Sequence, residues 1–116
     1  AYQENEHAPA LSSREMIYFW KSYLPSQSDM PDFRAAPLGA KDLADVAPAY
    51  IVTAEYDPLR DDGIRYAGAL NDAGIDVTHV HAAHLTHGFM RAWSVSRAAN
   101  YYAQDNCAAI NAAFGH

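Results

Sequence analysis

The stretch AYIVTAEYDPLRDDGIRYAGALNDAGIDVTHVHA, residues 49–82, decides the fold. Its first eight residues, AYIVTAEY, are apolar or β-branched on both parities, the pattern of a strand covered on two faces within a parallel sheet. Asp57-Pro58 ends the run, and from about Leu59 to Ala73 the residues Tyr66, Ala67, Leu70 and Ala73 recur at helical spacing. Gly74 stands where a helix C-terminal cap belongs. Ile75–Ala82 (IDVTHVHA) then reads as a second strand, its polar alternation suited to a position near a sheet edge. Strand, helix and strand make a βαβ unit, which is parallel and almost always right-handed. Two strands do not form a stable parallel sheet alone. Residues 49–56 ask for a neighbour on each side, and Ile75–Ala82 supplies one of them. The expected class is therefore α/β, with a βαβ unit, flanking helices and an incomplete parallel sheet.

Outward from this unit, residues 1–10 read as a loop or frayed lead-in. Ser12 and Glu15 have the spacing of a capping box, flanked by Leu11 and Met16 as a hydrophobic staple. A helix over 11–24 follows, with Met16, Trp20, Tyr23 and Leu24 at helical spacing and Pro25 closing it. Residues 25–48 hold four prolines and no sustained period, which predicts a long connecting loop with a short helical turn around Lys41–Asp45. A connection of that length often lies near a functional site. After the loop HLTHGFMRAWSV (84–95), a last helix is predicted over Ser96–Ala113, with Ala99, Tyr102, Ala103, Asn106, Ile110 and Phe114 as its buried stripe. The 116 residues fit part of one domain, 49–116 forming its βαβα segment.

Half of the residues are apolar and the net charge is −6, which argues against disorder and against nucleic acid or an anionic membrane as partner. The longest apolar runs are too short to span a bilayer, and no signal peptide opens the chain. The single cysteine, Cys107, cannot form an internal disulfide, so a cytoplasmic location is expected. Its alanine-rich surroundings suggest a buried, inert thiol rather than a reactive one.

Two residues fall where an open α/β sheet collects its chemistry, beyond the carboxyl ends of the strands. Asp57 follows the first strand directly and His87 follows the second after a few residues. On parallel neighbouring strands the two share one rim, where the carboxylate could fix the imidazole's tautomer and stabilise the imidazolium. Each has a plainer reading. Asp57-Pro58 also suits a helix N-cap followed by proline at the first helical position, and His87 could be an ordinary loop histidine. His79, His81, His84 and His87 invite a zinc reading, yet no cysteine or paired carboxylate completes a standard set. Phe89, Met90 and Trp93 could line an acyl pocket or simply pack the loop on the last helix.

The segment AYIVTAEYDPLRDDGIRYAGALNDAGIDV (49–77) resembles the penultimate strand, acid loop and following helix of the hormone-sensitive-lipase-like family of α/β-hydrolases, which includes microbial carboxylesterases. TAEYDPLRDDG (53–63) is its most specific part, and His87-Gly88-Phe89 resembles the family's histidine turn. SREMIYFWKSYLP (13–25) and AAPLGAKDLADVAP (35–48) are similar to the run that precedes the acid strand. The resemblance extends over about residues 11–115. It implies the C-terminal portion of an α/β-hydrolase fold, with Asp57 as triad acid, His87 as base, Phe89 beside the substrate, and neither metal nor cofactor. It also implies an ester substrate and a serine nucleophile on a Gly-x-Ser-x-Gly elbow upstream. No such elbow occurs in these 116 residues. The expectation is a serine esterase fragment that is inactive alone and has a missing N-terminal half as its partner, on the same or a second chain. The alternative is an inactive, vestigial piece that associates only through its open sheet edge, as a homo-oligomer for instance.

Overall fold

The computed structural model describes residues 1–24, Ser26 and residues 32–115. Helix α1 spans Ser13–Tyr23, strand β1 Ala49–Tyr56, helix α2 Arg60–Asp72, strand β2 Val77–Thr86 and helix α3 Arg97–Phe114. Two short 3-10 turns lie at Pro37–Gly39 and Phe89–Ala92. Pro25, expected to close α1, lies outside the described residues. The helix is seen to end at Leu24, whose N–H bonds the Trp20 carbonyl. Its start is the expected capping box: Ser12 Oγ accepts from the Glu15 N–H at 3.3 Å while Glu15 Oε2 accepts from the Ser12 N–H at 2.8 Å.

β1 and β2 pair in parallel with α2 as the crossover, so the βαβ reading holds, and among the described residues the sheet has these two strands. Gly74, at φ +79°, closes α2, and the Ile75 N–H reaches back to the Leu70 carbonyl at 3.0 Å, a Schellman closure that only a residue tolerant of positive φ accommodates. The core is thin. Leu70 and Pro58 are its largest fully buried side chains, joined by Ala54, Ala67, Ala82 and Ala99. The small residues allow close approach of helix to sheet. A Cβ added to Gly63 of α2 would meet the buried Thr53 methyl of β1 at 2.6 Å. At the other end of β1, the Tyr50 hydroxyl donates to Asp105 of α3 at 2.7 Å. Desolvation of this phenol and its bond to the carboxylate push it up to about 12.

Several expectations are corrected. β2 continues to Thr86 rather than ending at Ala82, because an irregularity lets the strand resume pairing after the break. Lys41–Asp45 forms no helical turn; Asp42 instead folds its carboxylate onto the Ala44 N–H, and the short turn falls at Pro37–Gly39, where proline pre-sets the helical φ. The lead-in is not frayed, since Asn5 is buried and Ser13 Oγ donates to the Tyr2 carbonyl. The stripe of α3 is buried at Ala99 but Ile110 and Phe114 are 56% and 74% exposed, and Cys107 is exposed rather than buried. α3 meets the rest of the molecule as far as its middle, through Tyr102 on His81, Asp105 on Tyr50 and Asn106 on Met90, and the apolar Ile110 and Phe114 beyond are left without cover.

Gly63→Ala should lower stability by about 1–3 kcal/mol through overpacking, outweighing the roughly 1 kcal/mol of helix propensity it gains. Thr53→Ser, which removes the methyl and keeps the hydroxyl, should recover most of that loss in a double-mutant cycle followed by thermal unfolding. Tyr50 adds a pH dependence. The unfolded phenol ionises near 10 and the folded one near 12, so its contribution is complete below pH 10 and is lost as pH rises towards 12. Unfolding midpoints measured across that window should fall less steeply in Tyr50→Phe.

Candidate active site

β1 delivers Asp57 at its carboxyl end, and the turn into α2 fixes it there. Asp57 Oδ1 accepts from the Leu59 N–H at 2.8 Å and its carbonyl accepts from the Arg60 N–H at 3.1 Å. The second oxygen, Oδ2, lies 2.8 Å from Nδ1 of His87. Asp57 thus spends one carboxylate oxygen on the turn that leads into α2, whose N-cap is Leu59 rather than Asp57, and turns the other towards His87. The carboxylate is nearly buried, its side chain 11% exposed, whereas the His87 ring is 39% exposed. An Nδ1–H donated to that carboxylate would leave Nε2 as the ring's proton-accepting nitrogen.

A mismatch in strand length brings the two residues level. Ala54 pairs with Ala82 and Tyr56 with Thr86, so β2 spends four residues where β1 spends two. Within this bulge His84 adopts φ +61°, and its N–H donates to Glu55 Oε2 at 2.6 Å. Asp57 and His87 each lie one residue past the Tyr56–Thr86 pair. Gly88 follows at φ +70° and turns the chain sharply into the Phe89–Ala92 helix.

Glu4, Asn5 and Arg60 brace the turn at Asp57. Asn5 Nδ2 donates to the Asp57 carbonyl at 3.4 Å. Arg60 donates to the Glu55 carbonyl at 3.1 Å and pairs with Glu4 at 2.7 Å and Asp61 at 3.0 Å. Those two carboxylates hold its guanidinium pKa above the ordinary value. Glu4 and Asn5 stand about fifty residues before Asp57, with no spacing that could announce the contact. Arg60 carries a signal only through the TAEYDPLRDDG resemblance.

The four histidines of the zinc reading do not converge on one point. His79 Nε2 and His81 Nδ1 lie 2.9 and 3.3 Å from the Thr53 hydroxyl, His84 adjoins Glu55 at 3.4 Å, and His87 is on Asp57. Among the described residues no three His, Cys, Asp or Glu side chains group as they would around one ion. A cavity of about 670 Å³ opens beside Asp57 and His87, with Trp20, Leu38, Val52, Leu59 and Tyr66 as its apolar wall. Phe89 is not among its lining residues; its ring meets Tyr102 edge-on at 5.8 Å. Among the described residues no helix is long and apolar enough to cross a membrane.

A family model described as the alpha/beta hydrolase fold matches residues 1–91. The chain belongs to the hormone-sensitive-lipase-like family of α/β-hydrolases. The esterase LipI of Mycobacterium tuberculosis is 44% identical over 89 residues, covering 75% of this chain and 28% of that protein. The ethyl acetate hydrolase of Pseudomonas putida is 35% identical over 73% of this chain and 27% of its own length. Among solved structures, the hyperthermophilic esterase of the archaeon Pyrobaculum calidifontis superposes with a TM-score of 0.89 at 30% identity, over 96% of this chain and 36% of that one. The chain thus spans about a quarter to a third of these relatives, and in the fold it forms a portion of the α/β-hydrolase architecture.

Because Asp57 has two separable jobs, its variants should separate them. Asp57→Asn keeps an oxygen for the Leu59 N–H and should melt close to the parent. Asp57→Ala loses the turn contact as well and should be less stable by about 1 kcal/mol, read as the difference in unfolding free energy.

Proposed function

We propose that this chain supplies the acid and base of a serine carboxylesterase whose nucleophile lies on a segment outside these 116 residues, in the same polypeptide or a second one. The observation that carries the reading is the 2.8 Å contact between Asp57 Oδ2 and His87 Nδ1, at the carboxyl rim of two parallel strands. The esterase and hydrolase names of the relatives support ester hydrolysis as the reaction. A serine from the missing segment attacks the acyl carbon, and His87 Nε2 takes the hydroxyl proton. The same ring returns the proton to the leaving alcohol and then activates water to release the acid. Asp57 keeps Nδ1 protonated and offsets the charge of the imidazolium. The apolar wall of Trp20, Leu38, Val52 and Tyr66 suits the hydrocarbon part of a short- or medium-chain ester. Phe89 contributes through the position of the histidine turn, given its packing on Tyr102. A cytoplasmic location and a need for neither metal nor cofactor complete the proposal.

The partner is argued from surface chemistry. Among the described residues β1 pairs on one edge only, and Ile17, Tyr18, Phe19, Tyr23, Phe33 and Phe114 are all at least half exposed. Such an edge and such aromatics are what remains when a sheet and its covering helices are divided. The vestigial alternative, an inert piece that self-associates through the same edge, has the same surface in its favour but gives no account of the aligned Asp57–His87 pair.

In the complete enzyme, Asp57→Asn and His87→Ala should each reduce kcat for a short-chain p-nitrophenyl ester by about 10³–10⁴-fold. Near-parental turnover in either variant would refute the assignment. A fluorophosphonate probe should label a serine outside residues 1–116. A label on one of the chain's own serines would place the nucleophile elsewhere than proposed.

A further inference from the structure

We infer that Glu55 is a positioning residue for the base, acting through the backbone of His84 to set how far along the rim His87 stands. The proposal deepens the esterase reading and rests on it for its catalytic consequence alone. Strand geometry poses the problem. With unbroken parallel pairing beyond Ala54–Ala82, Tyr56 would face His84, and His87 would lie two residues past the level of Asp57. At the rise of a strand that is a miss of about 6.6 Å, beyond the reach of an imidazole–carboxylate hydrogen bond. The bulge takes up those two residues, so that Tyr56 pairs with Thr86 and the next residue on each strand is a member of the site.

The bulge has a cost. His84 is held at φ +61°, a left-handed conformation that a side chain with Cβ adopts reluctantly. Its outward N–H has lost its place in the ladder and needs an acceptor. Glu55 is the β1 residue lying between the last regular pair and the resumed one, and its Oε2 accepts that N–H at 2.6 Å. A bond from a backbone N–H to an ionised carboxylate is among the stronger ones available to a partly exposed segment. Glu55 is itself anchored. Its carbonyl accepts from Arg60, whose guanidinium is pinned by Glu4 and Asp61. The chain of contacts therefore runs from the braced acid turn, through Glu55, to the bulge that carries the base. The His84 side chain is 85% exposed and its ring contact with Glu55, at 3.4 Å, is the weaker of the two. The position works through the His84 main chain, and its ring is dispensable.

Kinetics on the complete enzyme test this. Glu55→Ala should lower kcat by about 100-fold, the scale of loss for a reacting group misplaced by an ångström, with KM nearly unchanged. Glu55→Gln, which keeps an oxygen for the His84 N–H, should retain most of the activity. His84→Gly added to Glu55→Ala should restore much of the loss, since glycine takes the positive φ without help. A role in bulk stability alone predicts instead a lower Tm with kcat preserved in the folded fraction and no rescue by His84→Gly, and that result would overturn the inference. Two measurements need no turnover. In Glu55→Ala, amide exchange at His84 should accelerate and the low-field Nδ1 proton resonance of His87 should shift or broaden. If both stay as in the parent, the inference fails whatever the activity does. If both change while Asp57→Asn remains fully active, Glu55 does set the bulge and it is the esterase reading that falls.

Discussion

The site depends on a disagreement in length between two paired strands. Parallel pairing alone would carry β1 and β2 past each other residue for residue, and the carboxylate and the imidazole would stand at different depths. The two additional residues of β2 between Ala82 and Thr86 remove that offset. They do so at the last point where the ladder can still recover a regular pair before the rim. The bulge lies between the buried pair Ala54–Ala82 and the buried Asp57 and Pro58 that follow β1, so the distortion is held by packing on both sides. Strand pairing supplies the rigidity and the irregularity supplies the aim.

How much of this the residues announce depends on whether a feature is local. The capping box at Ser12–Glu15, the Gly74 cap and the parity-independent apolar run of β1 are written in adjacent residues, and each appears where its pattern places it. Asp57 and His87 were legible as a pair because parallel strands share a rim, a topological rule that needs no side-chain detail. The bulge was not legible. IDVTHVHA ends in alternation that stops being informative once His84 turns to positive φ, so the strand seemed to end at Ala82 when it was only interrupted. Asn5 and Glu4 were invisible for a different reason, since their contacts with the acid turn depend on where a distant loop is laid. The α3 stripe failed partway because helical periodicity identifies a face and says nothing of what covers it.

The same distinction explains why the molecule pairs an exacting site with a sparse core. Leu70 and Pro58 are the only large side chains buried completely among the described residues, and alanines fill much of the rest. A set of small residues brings α2 down onto β1, as the Gly63–Thr53 approach demonstrates, but it contributes little apolar area. Position is therefore secured near the rim by polar contacts: Arg60 across Glu4, Asp61 and the Glu55 carbonyl, Asn5 on the Asp57 carbonyl, and the carboxylate of Asp57 on its own turn. The aromatic residues that would ordinarily enlarge a core lie instead on the outside of α1 and α3.

That arrangement bears on why Asp57 and His87 belong to one βαβ unit. The carboxylate is useful only while one oxygen holds the turn and the other meets Nδ1, and both conditions are set within β1, α2 and β2. On the proposed reading, a nucleophile arriving on another segment would meet a ring whose Nδ1 side is already held by Asp57. Imidazole orientation is the part of a triad most sensitive to small rotations, since proton transfer requires both nitrogens to point correctly at once. Placing the Asp57–His87 relation inside one βαβ unit makes that angle a property of strand register. On the proposed reading, the distance to the nucleophile is left to packing between segments, for which the β1 edge that is unpaired among the described residues and the uncovered aromatics offer a surface.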